Sequence, residues 1–392
     1  MSTMKMKKKK KLIEELKKVN DFRVDEDKIE YPLYEILFMT VFGLLKGYVT
    51  YKELHGWMQH QENNELFKKL FEKDKMNIPS HSTLHNLLMN TDNNELEKVF
   101  RDHFFPYVTL DTMSVDGKWL RGSDVSGQYT NESHKSIFNV LDKEKKLVVA
   151  HKFMEKGKLS EISAFRELLE DERFCKGGQI FSFDALMTQV DLLNTINDTG
   201  RRYIAKVKGN QEKLRDKAKE SIKLFDKPTD SYKDKRPTIE GNKLTRRTVE
   251  IYENSDCNLV MFHPDFKNIQ TIIKITKELT DNDTGEINTI ITYLVANFKS
   301  NAKSFHNSIL QHWSIETYHY HLDMLTKEDN HIAYVNPFSM AILRSFTINL
   351  YQLYFNAHKG EKIMKSKVTM AEIKRTCHHL DDFTSEIFEI EA

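Results

Sequence analysis

Two apolar runs that each finish on an aspartate constrain this chain more than any other feature. The first, Val108–Val115, is β-prone and leads into Asp116, followed by Gly117, Lys118, Trp119, Leu120 and Arg121. The second, Ile180–Phe183, ends on Asp184 and gives way to a helical pattern from Met187. Strands that alternate with helices build an open α/β sheet, and functional groups in such sheets gather at the carboxyl ends of the strands. A lone aspartate after a strand usually just starts a turn. Two at two strand ends can meet.

The rest of the chain divides around Pro106. Before it the apolar spacing is helical: Leu33, Ile36, Leu37, Val41, Leu44 and Leu45 mark a buried helix over 31–47, and Leu54 and Trp57 mark another over 51–61. Ser80 and Asp92 stand where helix caps belong. After Pro106 strands are expected at 108–115, 136–141, 147–153, 179–184 and 202–207, with helices at 161–169 and 187–196 and one opening at Gln211. Residues 226–245 read as irregular. Strands follow at 245–252, 259–263, 269–277 and 287–296, then a helix over 301–325 and a very apolar one over 337–355. The last helix is expected at 370–379. The domains expected are a basic tail (1–20), a helical domain (21–105), an α/β domain (106–355) with a β-rich insertion at about 226–298, and a C-terminal tail (356–392).

The 392 residues carry a formal net charge of only +1, so any contact with nucleic acid must come from local patches. The lysine run Lys7–Lys11 reads as a solvated, frayed tail, and no stretch is long and apolar enough to span a membrane. Three distant cysteines, Cys175, Cys257 and Cys377, suggest neither a disulfide framework nor a cysteine zinc site, and fit a reducing cytosol.

Glu316, in Gln311-His312-Trp313-Ser314-Ile315-Glu316, is a third candidate acid, on a helix whose Ile309, Trp313 and Ile315 suggest an inward apolar side. Three convergent carboxylates repel one another unless a cation joins them, and oxygen donors without cysteine favour Mg²⁺ or Mn²⁺. Two such ions about 3.5–4 Å apart can drive phosphoryl transfer. Lys118, Arg121, Lys206 and Lys208 flank the strand ends and are candidates for holding phosphates, as is the helix start at Asn210-Gln211.

Asp116-Gly117-Lys118-x-x-Arg121-Gly122-Ser123 resembles the first-aspartate motif of bacterial insertion-sequence DDE transposases, in the subgroup named for H-repeat-associated proteins. Asp184-Ala185 with Gln189, Tyr203-x-x-x-Val207-Lys208-Gly209-Asn210-Gln211, and His312-Trp313-x-Ile315-Glu316 with Leu322-Asp323 and Glu328-Asp329 resemble the motifs that follow, and Ile78–Thr83 resembles the associated helical domain. The likeness runs over roughly 20–355. It implies a ribonuclease H-like core, a β insertion before the glutamate helix, and Asp116, Asp184 and Glu316 as ligands of Mg²⁺ or Mn²⁺. It further implies cleavage and joining of double-stranded DNA at element ends and target in a bacterial cytoplasm, by a homodimer assembled on DNA. Two departures stand out. His312 occupies the place of an arginine that many relatives carry, and a neutral imidazole holds phosphate less well. The stretch from Glu316 to Leu322-Asp323 is one residue shorter than in the relatives.

Two other readings compete. In one, His312, Glu316 and His319, at i, i+4 and i+7 of one helix, form the zinc site of a metallohydrolase. In the other, the chain is an inactive or domesticated DNA-binding remnant.

Overall fold

The structure is a computed structural model and describes residues 2–25, 28–123, 135–154, 159–174, 177–253, 266, 268–330, 336–363 and 366–390. Six helices come first: α1 (Ser2–Leu16), α2 (Leu33–Leu45), α3 (Tyr51–Gln59), α4 (Glu65–Phe71), α5 (His81–Asn90) and α6 (Asn93–Phe104). Then follow β1 (Thr112–Leu120), β2 (Lys135–Asp142), β3 (Leu147–Met154), α7 (Leu159–Glu170), β4 (Ile180–Phe183), α8 (Val190–Asp198), β5 (Arg202–Val207) and α9 (Glu212–Ile222). Next are β6 (Asp230–Lys233), β7 (Thr238–Glu240), β8 (Lys243–Glu253), β9 (Thr271–Asp281) and β10 (Ile287–Ala296). The chain closes with α10 (Ala302–His312), α11 (Ser314–Thr326), α12 (Phe338–Ala357), β11 (Lys362–Ile363), β12 (Ser366–Lys367), α13 (Met370–His379) and α14 (Asp381–Ile387). The protein is mixed α/β, with a helical N-terminal region and a large sheet that is mostly antiparallel.

The chain falls into two compact units. One contains 1–109, 117–160 and 316–392; the other contains 110–116 and 161–315.

In the first unit α12 is buried from Phe338 to Tyr354, as a helix apolar on nearly all sides must be. Phe346 meets Phe100 and Phe104 at 5.0 and 5.2 Å between ring centroids. Asn349 serves the hairpin of β2 and β3 inside this core: its Oδ1 accepts from the Val148 N–H at 3.0 Å and its Nδ2 donates to the Val148 carbonyl at 2.8 Å. The helices start where their caps stand. Ser80 accepts from the Thr83 N–H, and Asp92 accepts from Asn94 and Glu95 at 2.8 and 3.0 Å. Asp92→Ala is expected to lower the unfolding free energy by about 1 kcal/mol, read from urea melts.

The second unit is built on a mixed sheet. The N-terminal part of β1 pairs in parallel with β4 (Thr112↔Ile180, Ser114↔Ser182), and β4 pairs in parallel with β5. β10 lies antiparallel to β5, followed by β9, β8 and β6. α10 covers one face through Ala302 and Phe305 against Ile251, Ile273 and Leu294. α9 covers the other, with Ala218 and Ile222 against Tyr252 and Ile272.

Several expectations need correction. Strand β1 begins at Thr112 and runs on to Leu120, so Asp116 is within the strand and not at its end. Leu110 is left-handed (φ 60°), which keeps Val108–Asp111 out of the strand, while Trp119 and Leu120 are β-prone and extend it. Residues 226–245 hold β6, β7 and the start of β8, paired into the sheet despite their polarity. The helix over 301–325 breaks at Trp313 into α10 and α11. α1 extends into the lysine run, and Lys9 is buried with its Nζ 2.6 Å from Glu389 Oε1. α4 and α14 were not anticipated. The strand expected at 259–263 lies outside the described residues, as do Cys175 and Cys257; Cys377 is buried and free. Among the described residues no helix is long and apolar enough to cross a membrane.

Candidate functional site

Asp116, within β1, and Asp184, the residue after β4, each lie two residues beyond the paired Ser114 and Ser182 of neighbouring parallel strands. The hydroxyls of Ser114 and Ser182 approach to 3.4 Å. The Ser182 hydroxyl also lies 2.9 Å from His312 Nδ1, at the end of α10. A Ser-x-Asp pattern thus occurs twice, and its serines form a polar crossbar between the two strands two residues before the acids. This crossbar was missed from the sequence, although the repeated spacing was there to find it.

Asp184 follows β4 and precedes a 3-10 turn, Ala185–Met187. Burial pushes its carboxyl pKa up, but the Ala185 N–H and the ammonium groups of Lys208 and Lys206 outweigh this and hold it below the usual range. Lys208 Nζ is 3.4 Å from Asp184 Oδ1, and both side chains are half exposed. Lys206 lies on β5, its carbonyl accepting from Thr188 Oγ1 at 2.7 Å. The chain turns through Gly209–Gln211, and Gln211 becomes the N-cap residue of α9, with no side-chain cap bond of its own. Asn210 belongs to that turn.

Trp313 was expected to pack inward. It is 40% exposed, and the Arg247 guanidinium and Lys277 ammonium lie 5.2 and 5.7 Å from its ring centroid. Its position after the last turn of α10 takes it off the apolar stripe, and the cations use its ring face.

The remaining candidates belong to the first unit. Glu316 is exposed in the first turn of α11. Lys118 is turned inward: its side chain is 8% exposed, and Nζ donates to Asp323 Oδ1 and Oδ2 at 2.8 and 3.0 Å and to Asp329 Oδ1 at 3.3 Å, with Glu328 Oε2 at 3.9 Å. Arg121 is exposed at the edge of this acidic group, its Nε 3.6 Å from Asp329 Oδ2. The Lys118 ammonium is thus occupied by carboxylates and does not stand out as a surface cation.

The histidine zinc set does not hold together. His312 ends one helix and faces Ser182, whereas His319 sits on the next helix with Nε2 3.1 Å from Asn139 Nδ2. Burial, aided by Lys118, pushes His319 down to about 3, so it is a neutral, enclosed imidazole. Among the described residues no group of three or more His, Cys, Asp or Glu side chains is arranged to hold a metal ion.

Comparison with known proteins adds family evidence. Residues 109–348, more than half the chain, match the family described as "Transposase DDE domain", and residues 13–104 match the one described as "DDE_Tnp_1-associated". "Putative transposase YncI" of Escherichia coli O157:H7 is 26% identical over 81% of this chain and 80% of its own length. "H repeat-associated putative transposase YhhI" of Escherichia coli K12 is 24% identical over 82% of this chain and 84% of its own. A solved structure, the cryo-EM synaptic complex of piggyBac transposase with hairpin DNA, covers 96% of this chain and 78% of that chain at 12% identity, with a TM-score of 0.42.

Proposed function

Because this chain belongs to the DDE transposase family, in its H-repeat-associated group, we propose that Asp116, Asp184 and Glu316 are the acids with which it cuts and joins DNA. The observation that carries this is the register that pairs Ser114 with Ser182 on adjacent parallel strands, each serine two residues before one of the aspartates, with the two hydroxyls 3.4 Å apart. The parallel strands β1, β4 and β5 with their helical crossovers, together with the β2–β3 hairpin, support a ribonuclease H-like reading of the core. The helical region to residue 105 is then the associated domain, and β6–β10 extend the catalytic sheet.

By the chemistry of their donors, all carboxylate oxygens, the three acids would suit a divalent cation such as Mg²⁺ or Mn²⁺ once brought together. The strand donors are two carboxylates, hard oxygen ligands, and Glu316 adds a third in the family's order. Asp116, Asp184 and Glu316 would hold such ions, two in the usual scheme, and the ions would supply activation of a water or a 3′-hydroxyl and stabilisation of the leaving oxygen. The chain's own residues then hold the DNA. Lys208, Lys206 and Arg121 supply positive charge for phosphates, the first turn of α9, which follows Asn210-Gln211, presents its N-terminus, and His312 fixes the end of α10 against β4. Lys118, enclosed by carboxylates, is left out of the phosphate-binding set. The partners are the double-stranded ends of the element and its target, bound by a homodimer in the bacterial cytoplasm.

The test is nicking of labelled DNA that carries the element's ends, with Mg²⁺, with Mn²⁺ or with chelator. Cation-dependent nicks at the ends support the reading. Folded protein that binds the ends and never nicks them, with either cation, would leave a DNA-binding remnant in place of an enzyme.

A further inference from the structure

The sheet of the second unit has an open edge. β10 pairs with β9 along its whole length, from Ile287↔Thr280 to Ala296↔Thr271. Its other side pairs with β5 only from Tyr293 to Ala296. Residues Ile287–Thr292 therefore have no strand beside them among the described residues, and alternate backbone N–H and C=O groups point outward from that edge. Exposed edges are ordinarily blunted by charge, proline or a bulge. This one reads Ile-Asn-Thr-Ile-Ile-Thr, without a charge or a proline, and its register with β9 is unbroken. Ile287, Ile290 and Ile291 are 64%, 49% and 50% exposed.

We propose that this edge pairs antiparallel with the same segment of a second copy of the chain, joining two sheets across a two-fold axis. Antiparallel pairing about a two-fold is self-complementary, since each strand offers the other the pattern it needs itself. Two uncharged strands meet without like-charge repulsion. Charge at the ends favours the same occupant. The incoming strand lies in line with β5, just beyond Val207, so its leading end, Glu286 at the acidic β9–β10 tip with Asp283, meets the Lys206–Lys208 end of β5. Glu286 and Lys208 are both exposed. Ile287 and Ile291, on one face of β10, then lie opposite Ile291 and Ile287 of the second copy, because a two-fold normal to the sheet pairs residues of the same face.

The inference deepens the homodimer reading by naming its surface, and its test reads mass and not strand transfer, so its failure leaves the assignment of the acids untouched. Light scattering of the full-length protein without DNA, over a concentration series, is expected to show a dimer. Ile287→Lys with Ile291→Lys should raise the dissociation constant about tenfold or more while circular dichroism and melting stay as in the parent. Glu286→Lys and Lys208→Glu should each weaken the dimer, and the two combined in one chain should restore it. A parent that is monomeric throughout, or a dimer indifferent to the lysines at 287 and 291, would overturn the proposal; the second result would also show that another surface makes the dimer.

Discussion

Asp184→Asn is expected to lower strand transfer by more than about 10²-fold while the protein stays folded and still binds DNA. Groups that merely support a metal ligand cost about 10- to 100-fold when removed, and a ligand should cost more. Asparagine keeps the size and one acceptor oxygen but gives up the charge that a hard cation requires. Folding should hardly respond, because Asp184 is half exposed and its pairing with Lys208 is screened by solvent, worth at most about 1 kcal/mol. Asp116→Asn should behave alike because Asp116 lies two residues beyond Ser114, as Asp184 does beyond Ser182. Glu316→Gln, exposed at the start of α11, should leave melting unchanged and abolish joining. The experiment pairs a strand-transfer assay with a thermal melt and a gel-shift on end DNA. Cation-dependent joining that persists in any one variant removes that residue from the site.

Some of this architecture is legible in the chain because local pattern and tertiary environment agree. Helices α2 and α3 show in their apolar spacing, and α5 and α6 in their caps, Ser80 and Asp92. The strands around Ser114 and Ser182 are apolar, and each carries an acid two residues on, so their kinship can be read from sequence; their parallel pairing needs the fold. Other features depend on partners far along the chain. β6 and β7 are polar and become strands only because β8 lies beside them. Trp313 looks like core until the break between α10 and α11 turns it toward Arg247 and Lys277. Lys118 looks like a phosphate ligand because nothing within ten residues announces Asp323, Glu328 and Asp329, more than two hundred positions away. Glu316 is marked in the sequence by the apolar Ile309, Trp313 and Ile315 around it, although Trp313 proves exposed, and the family resemblance adds its place in the order of the acids.

Lys118→Met tests that last distinction and should be among the most destabilising single changes in the first unit. The ammonium neutralises a group of three carboxylates, and stripping one partner from a buried ionic cluster costs about 3–5 kcal/mol. The loss should depend on pH. Burial pushes the Glu328 carboxyl up to about 7, with Asp323 and Asp329 adding to the effect and Lys118 and Arg344 opposing it. A carboxyl whose pKa rises on folding stabilises the folded chain fully below its ordinary value of 4.5, and that contribution disappears as pH climbs through about 7. Removing Lys118 takes away a cation that favours the charged form, so the folded-state pKa of Glu328 rises further and the uncompensated charge weighs most at alkaline pH. The variant's deficit in urea melts should therefore be larger at pH 8 than at pH 5. An equal deficit at both would mean that Glu328 does not carry the effect. A variant that melts like its parent and only loses affinity for DNA would return Lys118 to the phosphate-binding set, with its ammonium leaving Asp323 when DNA is bound.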